Sequence, residues 1–246
     1  MFPLRDDNPT ELTPYMTFLL IGVTIGVWVF VQGAGSSPGL EASVCSLGAI
    51  PAEITGTGGG GGPCRWGGVT WQALFSSMFL HGGWGHLLGN LWFLWIFGNN
   101  VEDSMGHLRF LLFYLMTGLV ASAAHIASDP GSVVPVVGAS GAISGVMGAY
   151  LLLYPRARVR TLLVLIVFFT LIDVPAFVYL GYWFLLQLAS AQLTAGSGGG
   201  VAFWAHVGGF VAGLGLILVF RNPALVAAKR AGVTLPRERI ARGGWL

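Results

Sequence analysis

"VVGASGAISGVMGAY" (residues 136–150) sets Ser140 beside Gly138 and Gly141 at the head of a run that is otherwise small and apolar. Read locally, the run is a packing surface. Gly141, Gly145 and Gly148 recur at spacings of four and three, which puts them on one helical face where a second helix can approach closely. A lone serine in such a helix ordinarily bonds a carbonyl one turn back. Whether Ser140 does more depends on what the rest of the chain brings to it.

The 246 residues are 54% hydrophobic and only 9% charged, with a mean hydropathy of +0.75, whereas soluble domains carry roughly 25% charge. This is the composition of a polytopic membrane protein. The net charge of +2 includes no long basic tract, so nothing points to a nucleic-acid partner. Apolar windows near the length of a bilayer crossing, about 20 residues, fall at 15–32, 84–101, 108–127, 138–154 and 203–220. A further apolar stretch, 159–190, is too long for one crossing and is broken at Asp173–Ala176 ("DVPA"). It reads as a half-buried or interfacial segment followed by one span after Pro175. The expected fold is an all-α, six-helix membrane bundle over 15–220. It has a short segment 1–14 before it, a long external first loop at about 33–80, and a basic tail at 221–246.

Six crossings put both termini on one side. Arg5, Arg109, Arg156, Arg158, Arg160, Arg221, Lys229, Arg230, Arg237, Arg239 and Arg242 then share that side, and only Arg65 lies opposite. The excess of basic residues marks the cytoplasmic face, so both termini are expected there, with the loop 33–80 outside. The first apolar window follows Asp6, Asp7 and Glu11 rather than a basic patch, so it reads as a retained helix and not a cleavable signal. "GTGGGGGP" (56–63) and "GSGGG" (196–200) read as flexible external loops, since neither joins a strand to a helix as a phosphate cradle does. Cys45 and Cys64 both fall in the outside loop, where an oxidising compartment would allow them to pair.

Ionisable or strongly polar residues inside a membrane call for a functional explanation. His206 lies in "WAHVGGFVAGL", where Gly209 and Gly213 are spaced for close approach of another helix. His86 and Asn90, four residues apart, share a helical face, with His81 just before it. His81 and His86 are poorly spaced as helical metal ligands and have no acidic or Cys partner, so no metal or other cofactor is expected. The second, fourth and sixth helices run in the same direction. His86, Asn90, Ser140 and His206 therefore share the outer half of the membrane, a convergence that a site requires. Ser140 would attack a carbonyl and His206 would take its proton, while His86, Asn90 and the Ser140 N–H would serve the oxyanion. Glu102 and Asp103 lie at the opposite face, and Asp173 precedes Pro175 on that same inner side. A Ser-His dyad is therefore expected, with Ser144 left to packing.

At these residues the chain resembles the rhomboid family of intramembrane serine proteases. The matching pieces are "MFLHGGWGHLLGNLWFLWIFGNNVEDSMG" (78–106), "GASGAISGVMGAYLLLYP" (138–155) and "AHVGGFVAG" (205–213). The resemblance implies Ser140 as nucleophile, His206 as its base, and His86 and Asn90 as oxyanion-hole side chains. It also implies that Gly138 and Gly141 frame the serine and that His81 supports the outer rim. It further implies cleavage of membrane-anchored substrates without metal or ATP, a lateral substrate route past the fifth helix, and a cap loop. The chain departs from the family where Trp71 is followed by Gln72, many members having Trp-Arg in this loop. The extended 159–190 segment is a second departure. Two rival readings are a non-proteolytic relative that binds membrane helices, marked by loss of the serine or histidine, and a small transporter, marked by polar residues continuing to the inner face. Both Ser140 and His206 are present, and the inner halves of these helices are mainly Leu, Phe, Val and Gly.

Overall fold

The computed structural model describes residues 1–57, 62–64, 71–165, 168–193 and 201–233. Residues 58–61 of the first Gly-rich loop, all of the second (196–200), and Arg65, Arg237, Arg239 and Arg242 lie outside the described residues. Strand β1 (Phe2–Asp6) precedes α1 (Tyr15–Gly26), which runs on through a π-helical turn at Val27–Val31. The first loop carries α2 (Ser37–Leu47), α3 (Pro51–Thr55) and α4 (Ala73–Ser76). The long helices α5 (Trp84–Met105) and α6 (His107–Ser128) follow. Then come α7 (Ser140–Leu153), strands β2 (Arg158–Leu165) and β3 (Phe168–Pro175), α8 (Ala176–Leu193), α9 (Phe203–Phe220) and α10 (Pro223–Arg230). By length and composition α6, α8 and α9 can cross a membrane, whereas Tyr15–Val31 and α7 are apolar but shorter.

Helix α7 is the centre of the molecule, and every residue from Gly141 to Tyr150 is buried. Small residues make this possible on both sides. A Cβ at Gly209 of α9 would fall 2.0 Å from the carbonyl oxygen of Gly141, and one at Gly213 would fall 2.0 Å from that of Gly145. On the other side, a Cβ at Gly141 would meet the Ala121 methyl of α6 at 2.6 Å, and one at Gly145 would meet Thr117 at 2.4 Å. At 14 residues α7 is only about 21 Å long, less than the roughly 30 Å of a hydrocarbon core. Gly141 packs on Ala121 of α6, which runs on to Ser128, and on Gly209 of α9, which starts back at Phe203, so Ser140 is recessed below the ends of both neighbours.

The tight turn between α5 and α6 has a similar local origin. Gly106 sits at φ +83°, a conformation that side chains rarely adopt, and its N–H closes on Glu102 O before α6 begins at His107. Beside this turn, the Glu102 carboxylate accepts from Met16 N, Thr17 N and Thr17 Oγ1 and also meets His107 Nδ1. Asp103 accepts from Glu11 N, Leu12 N and Lys229 Nζ. The same end of the bundle collects Arg109 at Phe220 O and Arg230 at Leu153 O.

The all-α expectation is corrected by a three-stranded antiparallel sheet in the order β1-β2-β3. Residues 158–165 and 168–175 pair as antiparallel strands rather than forming an interfacial helix, and the span expected after Pro175 begins at Ala176. Val159, Thr161, Val164, Phe169, Thr170, Ile172 and Val174 are β-branched or aromatic, the types that pack well on a pleated surface. Residues 2–6, read from sequence as part of a terminal segment, supply the third strand. Phe2 pairs with Leu162 and Asp6 with Val159. Trp92 fixes this strand to α5 by donating from Nε1 to Pro3 O, with its ring stacked on Phe2.

Two predictions follow from this packing. Gly213→Ala should force α7 and α9 apart and lower stability by about 1–3 kcal/mol. Gly215→Ala, whose Cβ meets nothing within 4 Å, should leave thermal unfolding in detergent unchanged. The second concerns Asp6, which accepts from Tyr150 Oη and Asn100 Nδ2, and whose pKa burial pushes up from 3.8 to about 6. The folded chain holds this proton where the unfolded chain has lost it. The stabilisation is thus complete below the unfolded value and falls away as pH rises through about 6. Unfolding midpoints measured across that window should flatten in Asp6→Asn.

Candidate active site

Residues 129–139 descend from the end of α6 to the recessed start of α7 as irregular backbone, which at membrane depth is tolerated only when buried in protein or lining a cavity. The loop's polar groups are tied to the first loop. Ala49 and Val136 exchange backbone hydrogen bonds of 3.0 and 2.8 Å, Ala52 N donates to Ser132 O, and Gly138 N donates to Ser77 O. On the opposing segment Cys45 and Cys64 are joined in a disulfide. These ties deliver Ser140 to the first position of α7, where N–H groups at the helix start have no intrahelical acceptor.

His206, one turn into α9, meets it there. His206 Nε2 and Ser140 Oγ are 2.8 Å apart, the separation of a nucleophile from its general base. The other ring nitrogen, Nδ1, lies 2.8 Å from Gln187 Oε1 of α8. Trp183, one turn earlier on α8, lies beside the imidazole with ring centroids 5.9 Å apart, and Phe203 meets it edge-on.

His86 and Asn90 face the serine across a cavity of about 1080 Å³ that Ser140 and His206 also line. Gly82 N donates to His86 Nδ1 at 3.3 Å, which leaves the ring proton on Nε2. Asn90 is buried, and its Nδ2 has no protein partner among the described residues. The His86 Nε2–H and the Asn90 amide are thus both held at the cavity. Gly138 makes room for the first of them. It adopts φ +129°, and a Cβ there would fall 2.7 Å from His86 Nε2. Gly141 lies at the contact with Ala121 and Gly209, so its part is in helix approach.

His81 is fully buried beneath this rim, with its ring edge-on to His86 at 5.0 Å. Its backbone is clamped by Gln32, which accepts from His81 N and donates to His81 O, both at 2.8 Å. Burial, and next to it the neighbouring His86, lower the His81 pKa to about 4, so the ring is neutral. Ser144 Oγ donates to Ser140 O, one turn back. Asp173 is remote from His206 and forms an ion pair with Arg160 in the sheet, which holds its carboxyl below the usual range. Among the described residues no cluster of His, Cys, Asp or Glu is arranged to hold a metal ion. Sequence reasoning missed Gln187 and Trp183. The available signal was an amide in mid-helix in the apolar run "YWFLLQLASAQL" (182–193), which also holds Gln192 near its end.

A Rhomboid domain family model matches residues 68–223, more than half of the chain. The chain belongs to the rhomboid family. Its relatives include the rhomboid protease GluP of Bacillus subtilis, 34% identical over 138 residues, which are 56% of this chain and 24% of that protein. The putative rhomboid protease YdcA of the same organism is 38% identical over 81 residues, 33% of this chain and 40% of the relative. Rhomboid-like protein 11, chloroplastic, of Arabidopsis thaliana is 41% identical over 75 residues, 30% and 26% of the two chains. The chain thus spans well under half the length of these curated relatives.

In this rhomboid chain the Gly138 position carries a direct test. Gly138→Ala should displace the His86 ring from the cavity and slow labelling by a serine-directed fluorophosphonate about 10²-fold, the scale of losing one oxyanion donor. The labelling time course measures it.

Proposed function

We propose that this rhomboid is an intramembrane serine endopeptidase that cleaves membrane-anchored proteins within or next to their transmembrane segments, using Ser140 and His206 as a dyad. The observation that carries the reading is the 2.8 Å contact between His206 Nε2 and Ser140 Oγ, at a cavity lined by His86 and by Asn90, whose Nδ2 has no partner among the described residues. A packing serine would have spent its hydroxyl on its own helix, as Ser144 does.

In the proposed reaction a scissile carbonyl enters the cavity, and Ser140 Oγ attacks its carbon as His206 Nε2 takes the hydroxyl proton. Negative charge collects on the former carbonyl oxygen, where the His86 Nε2–H, the Asn90 amide and the N–H of Ser140 at the helix start can receive it. His206 then gives its proton to the leaving amine as the C–N bond breaks. A water entering the cavity, activated by the same imidazole, releases the acyl group from Ser140. The GluP and YdcA relatives, named as a rhomboid protease and a putative one, support the same activity.

The reading includes a six-crossing topology for residues 15–220. Every described Lys and Arg gathers toward the end of the bundle away from Ser140, which supports cytoplasmic termini and a dyad toward the outer face. We place the chain in a prokaryotic plasma membrane, with single-pass or other transmembrane proteins as substrates.

Ser140→Ala should abolish both fluorophosphonate labelling and cleavage of a membrane-anchored reporter by the purified protein, and His206→Ala should be nearly as damaging. Cleavage that persists in Ser140→Ala would overturn the mechanism.

A further inference from the structure

His206 has a hydrogen-bond partner at each ring nitrogen, Ser140 Oγ at Nε2 and Gln187 Oε1 at Nδ1, both at 2.8 Å. We propose that Gln187 is the positioning residue of the pair, filling with a neutral amide the place that a carboxylate fills in a catalytic triad. The inference rests on the protease reading of Ser140 and His206 and adds a third side chain to it.

The argument is one of proton bookkeeping on a five-membered ring. To take the serine proton, His206 must present a lone pair at Nε2, so its own proton must sit on Nδ1. An Nδ1–H at this depth needs an acceptor, and the Gln187 carbonyl oxygen is one. With the amide turned the other way, its NH₂ would face Nδ1 and select the opposite tautomer. The ring proton would then point at Ser140 Oγ, and no lone pair would remain to receive the hydroxyl hydrogen. The orientation in which Oε1 faces Nδ1 is the one compatible with general base action.

The same helix holds the ring a second time. Trp183 precedes Gln187 by four residues, so both project from one face of α8, and Trp183 lies beside the imidazole that Gln187 holds at its edge. No carboxylate among the described residues hydrogen-bonds His206, and Asp173 is engaged with Arg160. Helix α8 exposes Tyr182, Leu185 and Leu186 on its far side. The seat of a largely lipid-facing helix therefore sets the tautomer of a base carried on α9.

The test uses the full chain in detergent, with Ser140→Ala as the inactive reference. Gln187→Leu should lower kcat for a transmembrane reporter, and the fluorophosphonate labelling rate, by about 10²-fold, the scale of a misplaced catalytic group. KM should stay within about twofold, because substrate contacts are untouched. Gln187→Glu restores an acceptor at the same reach and should return both rates to within about tenfold of the parent. Nitrogen-15 spectra should show His206 protonated at Nδ1 in the parent and as a tautomer mixture in Gln187→Leu. The inference is overturned if a folded Gln187→Leu protein labels and cleaves at the parent rate, or if the parent spectrum places the proton on Nε2. Activity surviving in Ser140→Ala would instead remove the protease reading itself.

Discussion

The backbones of α7 and α9 touch. Where Gly209 and Gly213 face the carbonyls of Gly141 and Gly145, there is no space for a methyl group on either residue, and Gly148 meets Phe210 O in the same way. Contacts of this kind take the place of a hydrophobic driving force between helices in lipid, where apolar side chains gain nothing by leaving the acyl chains. They also fix an interhelical distance more firmly than interdigitated Leu or Met would, because a backbone has no rotamers to shift. Ser140 opens α7 and His206 lies one turn into α9, so their 2.8 Å separation is a property of that spacing. The sheet, the first loop and α8 are arranged around a pair whose geometry the glycines determine.

The helical part of this arrangement was legible because apolar runs, small-residue spacing and intramembrane histidines are local signals. Gly209 and Gly213 could be read as a contact face, and His86 with Asn90 as a shared face, from spacing alone. The sheet was not legible for two reasons. Residues 158–175 are as apolar as a helix and carry no turn signal between their strands, and their pairing with residues 2–6 joins segments some 150 positions apart. Gln187 escaped for a different reason: an amide in an apolar helix acquires meaning only when the fold reveals the nitrogen it faces. The neutral His81 likewise looked like a rim residue, whereas the feature that fixes it is its backbone, held by Gln32 from the end of α1.

The site is built against the general rule that buried polar groups find partners within the fold. Asn90 Nδ2 is buried without one among the described residues, and Gly138 adopts a backbone conformation that side chains avoid. Asn90 lines the cavity and Gly138 lies against the His86 ring that does, and both are features that a membrane bundle selected for stability alone would discard. The glycine contacts and the Glu102 and Asp103 clusters at the opposite end offset these costs. Asn90 and Gly138 thus lie at the end holding Ser140, and the Glu102 and Asp103 hydrogen-bond clusters at the other.

That second end constrains how the chain can be assembled. Strand β1 is made before α1, yet its partner β2 is made only after α1, α5, α6 and α7. Until then the peptide groups of residues 2–6 and the Asp6 carboxyl have none of their eventual partners on β2 and Tyr150. These groups must wait unpaired by β2 while α1, α5, α6 and α7 are laid down. The docking of β1 on the flank of α5, where Trp92 receives it, is thus completed only once α7 and β2 exist.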